Sequence, residues 1–331
     1  MKKDFLQALQ NSQRIVAVVG LAKNVGKTTL LNWLIKNLAQ QNNSSTFGMI
    51  TTGRDGEDFD LVGGHRKPKV FVPAGTFFST RPEVIAQNSS ALAIIQKLPY
   101  RAGGKRLWLV KALQTILTEI VGPASASEQI KLAQDILDRG ADQVFIDGSL
   151  DRKSIALAAE VDGLVVVAGA EAGSLQQIKA ELAKLQMLTQ IECSQDLATT
   201  NKFVTYSVNG QVQTSSLRSI LHQESTLLQL PKITEAEWIY FPAAFTERSY
   251  TKLVSALAQS RFIFQHPLHI QLSADQLGKI YHKIAVLSKI KIDGIALNSY
   301  SAKGNHLDSE LLRAEIRKTF AQLPIIDVAE L

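Results

Sequence analysis

The chain has 331 residues, of which 45% are hydrophobic and 20% are charged, and its formal net charge at pH 7 is +6. This composition excludes a wholly disordered chain and provides enough apolar surface for two domains, or for one large domain with insertions. The single cysteine, Cys193, excludes an internal disulfide framework and a metal site built from several cysteines.

The positive charge is scattered along the sequence. Two local basic groups, residues 65–69 and 101–106, lack the interleaved aromatic side chains on which bases stack, so we expect no nucleic-acid partner. No apolar run is long enough to cross a bilayer, and the first residues lack the unbroken apolar region of a signal peptide. We therefore expect a cytoplasmic protein with no membrane partner.

The first 51 residues predict a strand, a loop, a helix and a second strand. The apolar run Ile15–Val19 predicts a strand that is buried on both faces, which is typical of parallel sheets. Leucine and isoleucine then recur at helical spacing over residues 26–40, and Asn42–Ser45 ends this helix. Thr46–Thr51 predicts the next strand. Together these elements predict a right-handed βαβ unit.

The middle of the chain predicts further strands around one helix. The region 70–122 favours short strands, Ser127–Arg139 has helical spacing, and Val144–Ile146 and Gly163–Ala168 are apolar strand runs. We therefore assign residues 13–175 to one α/β core that carries a β-rich insertion around 70–122.

The rest of the chain divides into two predicted parts. Leu175–Leu188 is helical by period, and residues 203–214 predict a β-hairpin because Asn209-Gly210 suits a type I′ turn. We assign residues 176–235 to a helix-plus-hairpin insertion. Strand and helix patterns alternate again over 236–331, so we expect this C-terminal α/β part to continue the sheet of the core.

The segment after the first strand has the residue types of a phosphate-binding loop. Such a loop needs inward-facing backbone N–H groups, a helix N-terminus, a lysine for the β- and γ-phosphates and a hydroxyl for Mg²⁺. We therefore predict a P-loop NTPase-type α/β fold, with a mostly parallel sheet, helices on both faces and a small β-containing insertion. The predicted nucleotide-binding residues of the loop are Gly20, Asn24, Val25, Gly26, Lys27, Thr28 and Thr29.

Two acidic residues are candidates for metal binding and catalysis. Asp147 follows the apolar strand Val144–Ile146, as a Walker-B acid does, although a strand-end turn would give the same pattern. Asp55 belongs to an acidic cluster after the second predicted strand, where a switch loop would lie, and an exposed acidic turn is the alternative. Because Mg²⁺ prefers oxygen ligands, we predict that Thr28, Asp147 and Asp55 hold it. We also predict that Lys27, Asp55 and Asp147 act in catalysis.

One asparagine is a candidate for reading the base. Asn298 follows the apolar run Ile292–Leu297 and precedes a loop of small residues, which suits either a base contact or an ordinary turn. The N-K-x-D guanine signature is absent, because Asn201-Lys202 is followed by Phe203-Val204. The sequence therefore favours ATP over GTP as the nucleotide.

The loop and several later segments resemble the ATPase subunit of lysine 5,6-aminomutase reactivase, within the P-loop class that includes MinD and dethiobiotin synthetase. Similarity runs from about residue 15 to residue 330 and is weakest between 175 and 235. The resembling segments are Gly20–Thr29, Thr52–Glu57, Val72–Thr76, Val121–Pro123, Ile146–Ser154 and the segment from Leu297 to Gly304.

The resemblance implies an ATPase that services a partner. Such a protein uses ATP to release damaged cobalamin from a cobalamin-dependent aminomutase, together with a MutS-like subunit. The residues themselves leave three functions open, namely an ATPase acting on a partner, a small-molecule ligase or kinase of the dethiobiotin-synthetase type, and a nucleotide-gated binding protein without turnover. They also leave the oligomeric state open.

Two loop positions depart from the pattern of such proteins. The usual spacing places a glycine where this chain has Leu21, with Gly20 one residue earlier, so the first turn of the loop must differ locally. MinD-like proteins carry a lysine that acts across a dimer, five residues before the P-loop lysine. Lys23 lies four residues before Lys27, which favours a solvated loop lysine over that bridging role.

Overall fold

The structure is a computed structural model that describes residues 2–10, 14–41, 45–51, 69–149, 161–197, 201–301, 304 and 306–331. It divides the chain into two compact units. The core unit comprises Met1–Lys179 and Lys291–Leu331, and the inserted unit comprises Ala180–Ile290. None of the helices in the described ranges has both the length and the apolar character needed to span a bilayer.

The described strands and helices are as follows. The strands are β1 (Ile15–Gly20), β2 (Phe47–Thr51), β3 (Val70–Val72), β4 (Phe77–Thr80), β5 (Leu92–Ala102), β6 (Lys105–Ala112), β7 (Ile116–Thr118), β8 (Gln143–Ser149), β9 (Gly163–Gly169), β10 (Thr205–Val208), β11 (Gln211–Thr214), β12 (Trp238–Phe241), β13 (Phe245–Thr246), β14 (Arg261–Phe264), β15 (Ile270–Gln271), β16 (Ile284–Val286), β17 (Ile292–Asn298) and β18 (Ile325–Asp327). The helices are α1 (Lys2–Gln10), α2 (Lys27–Gln41), α3 (Pro82–Gln87), α4 (Ala126–Asp138), α5 (Leu175–Thr189), α6 (Glu224–Leu228), α7 (Glu247–Leu253), α8 (Ala274–Ile280) and α9 (Ser309–Thr319).

The core unit is built on a nine-stranded sheet with the order β18-β17-β9-β1-β8-β2-β4-β6-β5. The strands from β18 to β4 are parallel to one another, whereas β6 pairs antiparallel with both β4 and β5. All six residues of β1 are buried, as expected for a central parallel strand. The predicted α/β class with a mostly parallel sheet is confirmed. Part of the predicted insertion instead extends this sheet, because β4, β5 and β6 all pair within it.

Helices cover both faces of the sheet. The apolar stripe of α2 packs with Met49 and Phe145 in one buried cluster. Gly48 and Val144 alternate with those two residues and therefore project to the opposite face. There, a Cβ on Gly48 would lie 2.5 Å from the Ile136 side chain of α4, so only glycine lets this helix approach so closely. The predicted arrangement of helices on both faces is therefore confirmed.

The inserted unit has its own five-stranded sheet, with the order β11-β10-β12-β14-β16. The predicted hairpin β10–β11 is present, and its turn residues Asn209 and Gly210 both have positive φ (51° and 72°), as a type I′ turn requires. The C-terminal part differs from the prediction that residues 236–331 continue one sheet. Strands β12, β14 and β16 build on the hairpin, and only the chain from Lys291 onward returns to the core.

A buried histidine, His266, makes the stability of the inserted unit depend on pH. His266 is fully buried, its Nδ1 accepts the Leu268 N–H at 3.3 Å, and its Nε2 has no hydrogen-bond partner among the described residues. Burial, together with the nearby His269, lowers the pKa of His266 from 6.5 to about 4. The unfolded chain therefore takes up a proton at higher pH than the folded chain does.

We expect the free energy of unfolding to fall by about 3 kcal/mol between pH 7 and pH 4 on account of His266. His266→Asn keeps a side-chain acceptor for the Leu268 N–H and cannot titrate, so its stability should depend less steeply on pH. Denaturant unfolding at several pH values measures both slopes. His282→Asn, at an exposed position, is the matched control and should leave the wild-type slope unchanged. Equal slopes for wild type and His266→Asn would contradict the prediction.

Candidate functional site

The first strand runs one residue further than a standard phosphate loop allows. The Leu21 N–H donates to the Val167 carbonyl oxygen of β9 at 2.9 Å, which continues the ladder between β1 and β9. Leu21 is therefore still held by the sheet and needs no unusual backbone conformation. This accounts for the missing glycine at position 21, because the turn of the loop begins after that residue.

The loop itself has the backbone of an anion-binding site. Asn24 and Gly26 have positive φ values of 58° and 102°, and left-handed residues in such a loop turn successive N–H groups inward. Helix α2 begins at Lys27, and the Leu30 N–H donates to the Gly26 carbonyl at 3.0 Å. The N–H groups of the first helical turn have no partner within the helix and carry its positive dipole. The first turn contains no acidic residue that would offset this charge.

Gly20 is required because the loop folds back over it. A Cβ at this position would lie 2.7 Å from Cγ1 of the buried Val25 and 3.0 Å from Nζ of Lys27. The Lys27 ammonium donates to the Ala22 carbonyl at 3.4 Å, so its side chain curls over the loop. The lysine thus lies where it would meet the terminal phosphates of a nucleotide whose phosphates sit at the start of α2.

Asp147 faces the same side of the sheet as the lysine. In the parallel register it stands between Val18 of β1 and Thr51 of β2. Asp147 lies two residues beyond Phe145, which packs in the cluster under α2, so its side chain projects to the α2 face. Loss of solvent around the half-buried Asp147 carboxyl raises its pKa from 3.8 to about 6, and the positive charge of Lys27 acts to lower that pKa. A carboxyl group therefore lies near the C-terminal end of β8, on the α2 face of the sheet and within the electrostatic influence of Lys27.

The residues present suit a magnesium ion that is completed by the nucleotide. Among the described residues no three histidine, cysteine or acidic side chains are grouped as a metal site. Mg²⁺ is commonly held by one or two protein oxygens together with waters and substrate phosphates, so the hydroxyl of Thr28 and the carboxylate of Asp147 form a suitable donor set. Asp55, the predicted third ligand, lies outside the described residues and stays a prediction.

Two residues from the C-terminal strands pack on the loop. The Asn298 Nδ2 at the end of β17 donates to the Val25 carbonyl at 3.2 Å, and its Oδ1 accepts the Tyr300 N–H at 3.1 Å. Cγ1 of Val328, just after β18, lies 3.2 Å from where a Cβ on Gly26 would be. Asn298 therefore contacts the loop backbone, and its contact with a base stays a prediction. Val328 was not predicted, because no local sequence signal places it near residue 26.

The structure thus brings most of the predicted site residues into one region. Contacts join Gly20, Val25, Gly26, Lys27 and Asn298, and Asp147 is linked to them through the charge of Lys27. Thr28 and Thr29 lie in the first turn of α2, and Thr29 is exposed. Lys23 and Asn24 are exposed on the loop. The exposure of Lys23 agrees with its interpretation as a solvated lysine.

Comparison with known proteins leaves the family of the chain unassigned. No protein-family model matches the sequence, and a search of curated proteins gives no match. Among solved structures, the kinase domain of Escherichia coli tyrosine kinase ETK is 14% identical, the match covers 53% of this chain and 62% of that domain, and the TM-score is 0.29. Cyanothece apo McdA is 13% identical over 95% of this chain and 84% of its own, with a TM-score of 0.32. The ATP complex of a Cyanothece McdA variant is 12% identical over 95% of this chain and 82% of its own, with a TM-score of 0.31. These similarities are too low to assign a function, so the function proposed below is based on the geometry of the site.

Proposed function

We propose that the core unit binds ATP with Mg²⁺ at Gly20–Thr29 and hydrolyses it. The observation that carries this proposal is the position of Lys27, which curls over Gly20 at the start of α2, on the face of the sheet to which Asp147 of the neighbouring strand β8 projects. A phosphate loop alone can bind many anions. A lysine and a strand-end carboxylate on the same face are what a triphosphate and its metal ion require.

Different groups of the core unit would bind the phosphates and the metal ion. The N–H groups around Gly26 and the first turn of α2 receive the phosphate oxygens, and the Lys27 ammonium offsets the charge between the β- and γ-phosphates. Thr28 and Asp147 would hold Mg²⁺, and the ion would supply positive charge against the phosphates. Asp55 is proposed to add a ligand or to position the attacking water.

We further propose that the protein uses ATP hydrolysis to act on a partner enzyme. The resemblance to the aminomutase reactivase supports this role, with a cobalamin-dependent aminomutase as client and a MutS-like subunit. The inserted unit is compact and has its own sheet, and we propose that it recognises the partner.

Calorimetry of the full chain with ATP, with and without Mg²⁺, tests the binding proposal. We expect ATP to bind with a Mg²⁺-dependent affinity and to be hydrolysed slowly when no other substrate is present. Absence of ATP binding would overturn the proposal. Turnover that depends strongly on a small acid or diamine would favour the ligase or kinase, and tight ATP binding without turnover would favour the nucleotide-gated protein.

A further inference from the structure

Hydrogen bonds to both the nitrogen and the oxygen of its amide fix the side chain of Asn298. It is the last residue of β17, where it pairs with Gly169 of β9. A Cβ on Gly169 would lie 2.1 Å from the Asn298 carbonyl oxygen, so only glycine lets the two strand ends approach this closely. The Asn298 Oδ1 accepts the Tyr300 N–H at 3.1 Å, which orients the amide. The remaining donor, Nδ2, points at the Val25 carbonyl at 3.2 Å.

This contact determines the direction of one N–H group in the loop. Val25 and Gly26 share a peptide plane, and in a trans peptide the carbonyl and the N–H point in opposite directions. Holding the Val25 carbonyl toward Asn298 therefore turns the Gly26 N–H away from β17. Within the described residues this N–H makes no hydrogen bond, so it is available to an anion. The positive φ of Gly26 permits this orientation.

We propose that Asn298 is a positioning residue for phosphate binding. It fixes the Val25–Gly26 peptide so that the Gly26 N–H faces the phosphate. This inference rests on the proposed function, and it assigns the amide a role that does not depend on the base. One N–H of Nδ2 and one lone pair of Oδ1 already hold the amide against the backbone of Val25 and Tyr300, so its orientation is set by the protein and not by a base.

Three ligands separate the two roles of the amide. ATP and GTP carry different bases, and inorganic tripolyphosphate carries none. We expect Asn298→Ala to weaken the binding of all three by the same factor, about fivefold, because one neutral hydrogen bond that orients the peptide is lost. The KM for ATP should rise by that factor, while kcat at saturating ATP stays within about twofold of wild type.

Two further variants keep the experiment decisive. Asn298→Asp retains an acceptor for the Tyr300 N–H and removes the donor to Val25, so it should lose at least as much affinity as Asn298→Ala. Asn37→Ala removes the same kind of side chain from α2, about 15 Å along the helix from Lys27, where its Nδ2 donates to the Trp33 carbonyl at 2.8 Å, so it should bind all three ligands like wild type. Thermal unfolding without ligand shows whether each variant is folded.

Each outcome has a defined consequence. Equal losses for ATP, GTP and tripolyphosphate in folded Asn298 variants support the positioning role. A loss confined to one nucleotide, with tripolyphosphate unaffected, would overturn it in favour of base reading, and unchanged binding of all three would also overturn it. If wild-type protein bound none of the three ligands, the proposed function would fail, and the inference would fail with it.

Discussion

Replacing Lys27 with alanine should weaken ATP binding by about 100-fold or more. The Lys27 ammonium curls over Gly20 beside the first turn of α2, where the proposed function places the β- and γ-phosphates. A hydrogen bond to a charged group contributes about 1.5–3 kcal/mol, and loss of contacts to two phosphates therefore costs on the order of 3 kcal/mol or more. Calorimetric titration of ATP in the presence of Mg²⁺ measures the change.

Lys23→Ala is the matched control for this variant. It removes the same charge from the same loop, at an exposed position four residues earlier. We expect it to change the affinity less than about threefold, because an exposed charge in high dielectric contributes little. Comparable losses in the two variants would show that any nearby positive charge suffices, and would contradict the assignment of Lys27 as the phosphate lysine.

The central part of the fold was predictable because its signals are local. The unbroken apolar run of β1 predicts a strand buried on both faces, and the leucine stripe of α2 predicts its packing. Positive φ at Asn24 and Gly26 follows from residue types that tolerate this conformation. The pattern Gly26-Lys27-Thr28 is therefore enough to predict a tight loop that leads into a helix at this place.

Other features depend on pairings between distant parts of the chain. Residues 236–331 show a regular alternation of strand and helix, and nothing in that pattern says which sheet each strand joins. In the sequence, more than one hundred residues of the inserted unit separate β9 from β17. The pairing of β17 with β9 brings Asn298 to the loop, and the pairing of β18 with β17 brings Val328 there. The position of Leu21 also depends on a distant pairing. Its N–H donates to the Val167 carbonyl of β9, and the sequence around Leu21 gives no sign of this hydrogen bond.

Asp147→Asn should abolish the Mg²⁺-dependent part of ATP binding and reduce hydrolysis by about 100-fold or more. The amide has nearly the same volume as the carboxyl but carries no negative charge for the metal ion. The positive charges around the triphosphate then lose an anionic partner at the end of β8. Titration of ATP with and without Mg²⁺, together with phosphate release at saturating ATP, measures both effects. Mg²⁺ dependence like that of wild type would contradict the assignment of Asp147 as a metal ligand.

The same substitution should have the opposite effect on the stability of the metal-free protein. Burial raises the pKa of Asp147 from 3.8 to about 6, so the folded chain binds its proton more tightly than the unfolded chain does. The contribution of Asp147 to the stability of wild type therefore falls as pH rises from about 4 to 6, opposite in sign to that of His266, and near pH 7.5 its ionised carboxyl costs at most about 3 kcal/mol. Without Mg²⁺ or ATP, Asp147→Asn should be more stable than wild type at pH 7.5, and this advantage should disappear near pH 4.

Adding Mg²⁺ and ATP should reverse this order, because a ligand stabilises only the protein that binds it. Thermal unfolding at pH 7.5 with and without the ligands tests the reversal, and His282→Asn serves as a control at an exposed position. If Asp147→Asn were less stable than wild type in both conditions, the carboxylate would be part of the structural framework. A carboxylate that destabilises the empty site and stabilises the loaded one is what a dedicated metal ligand requires.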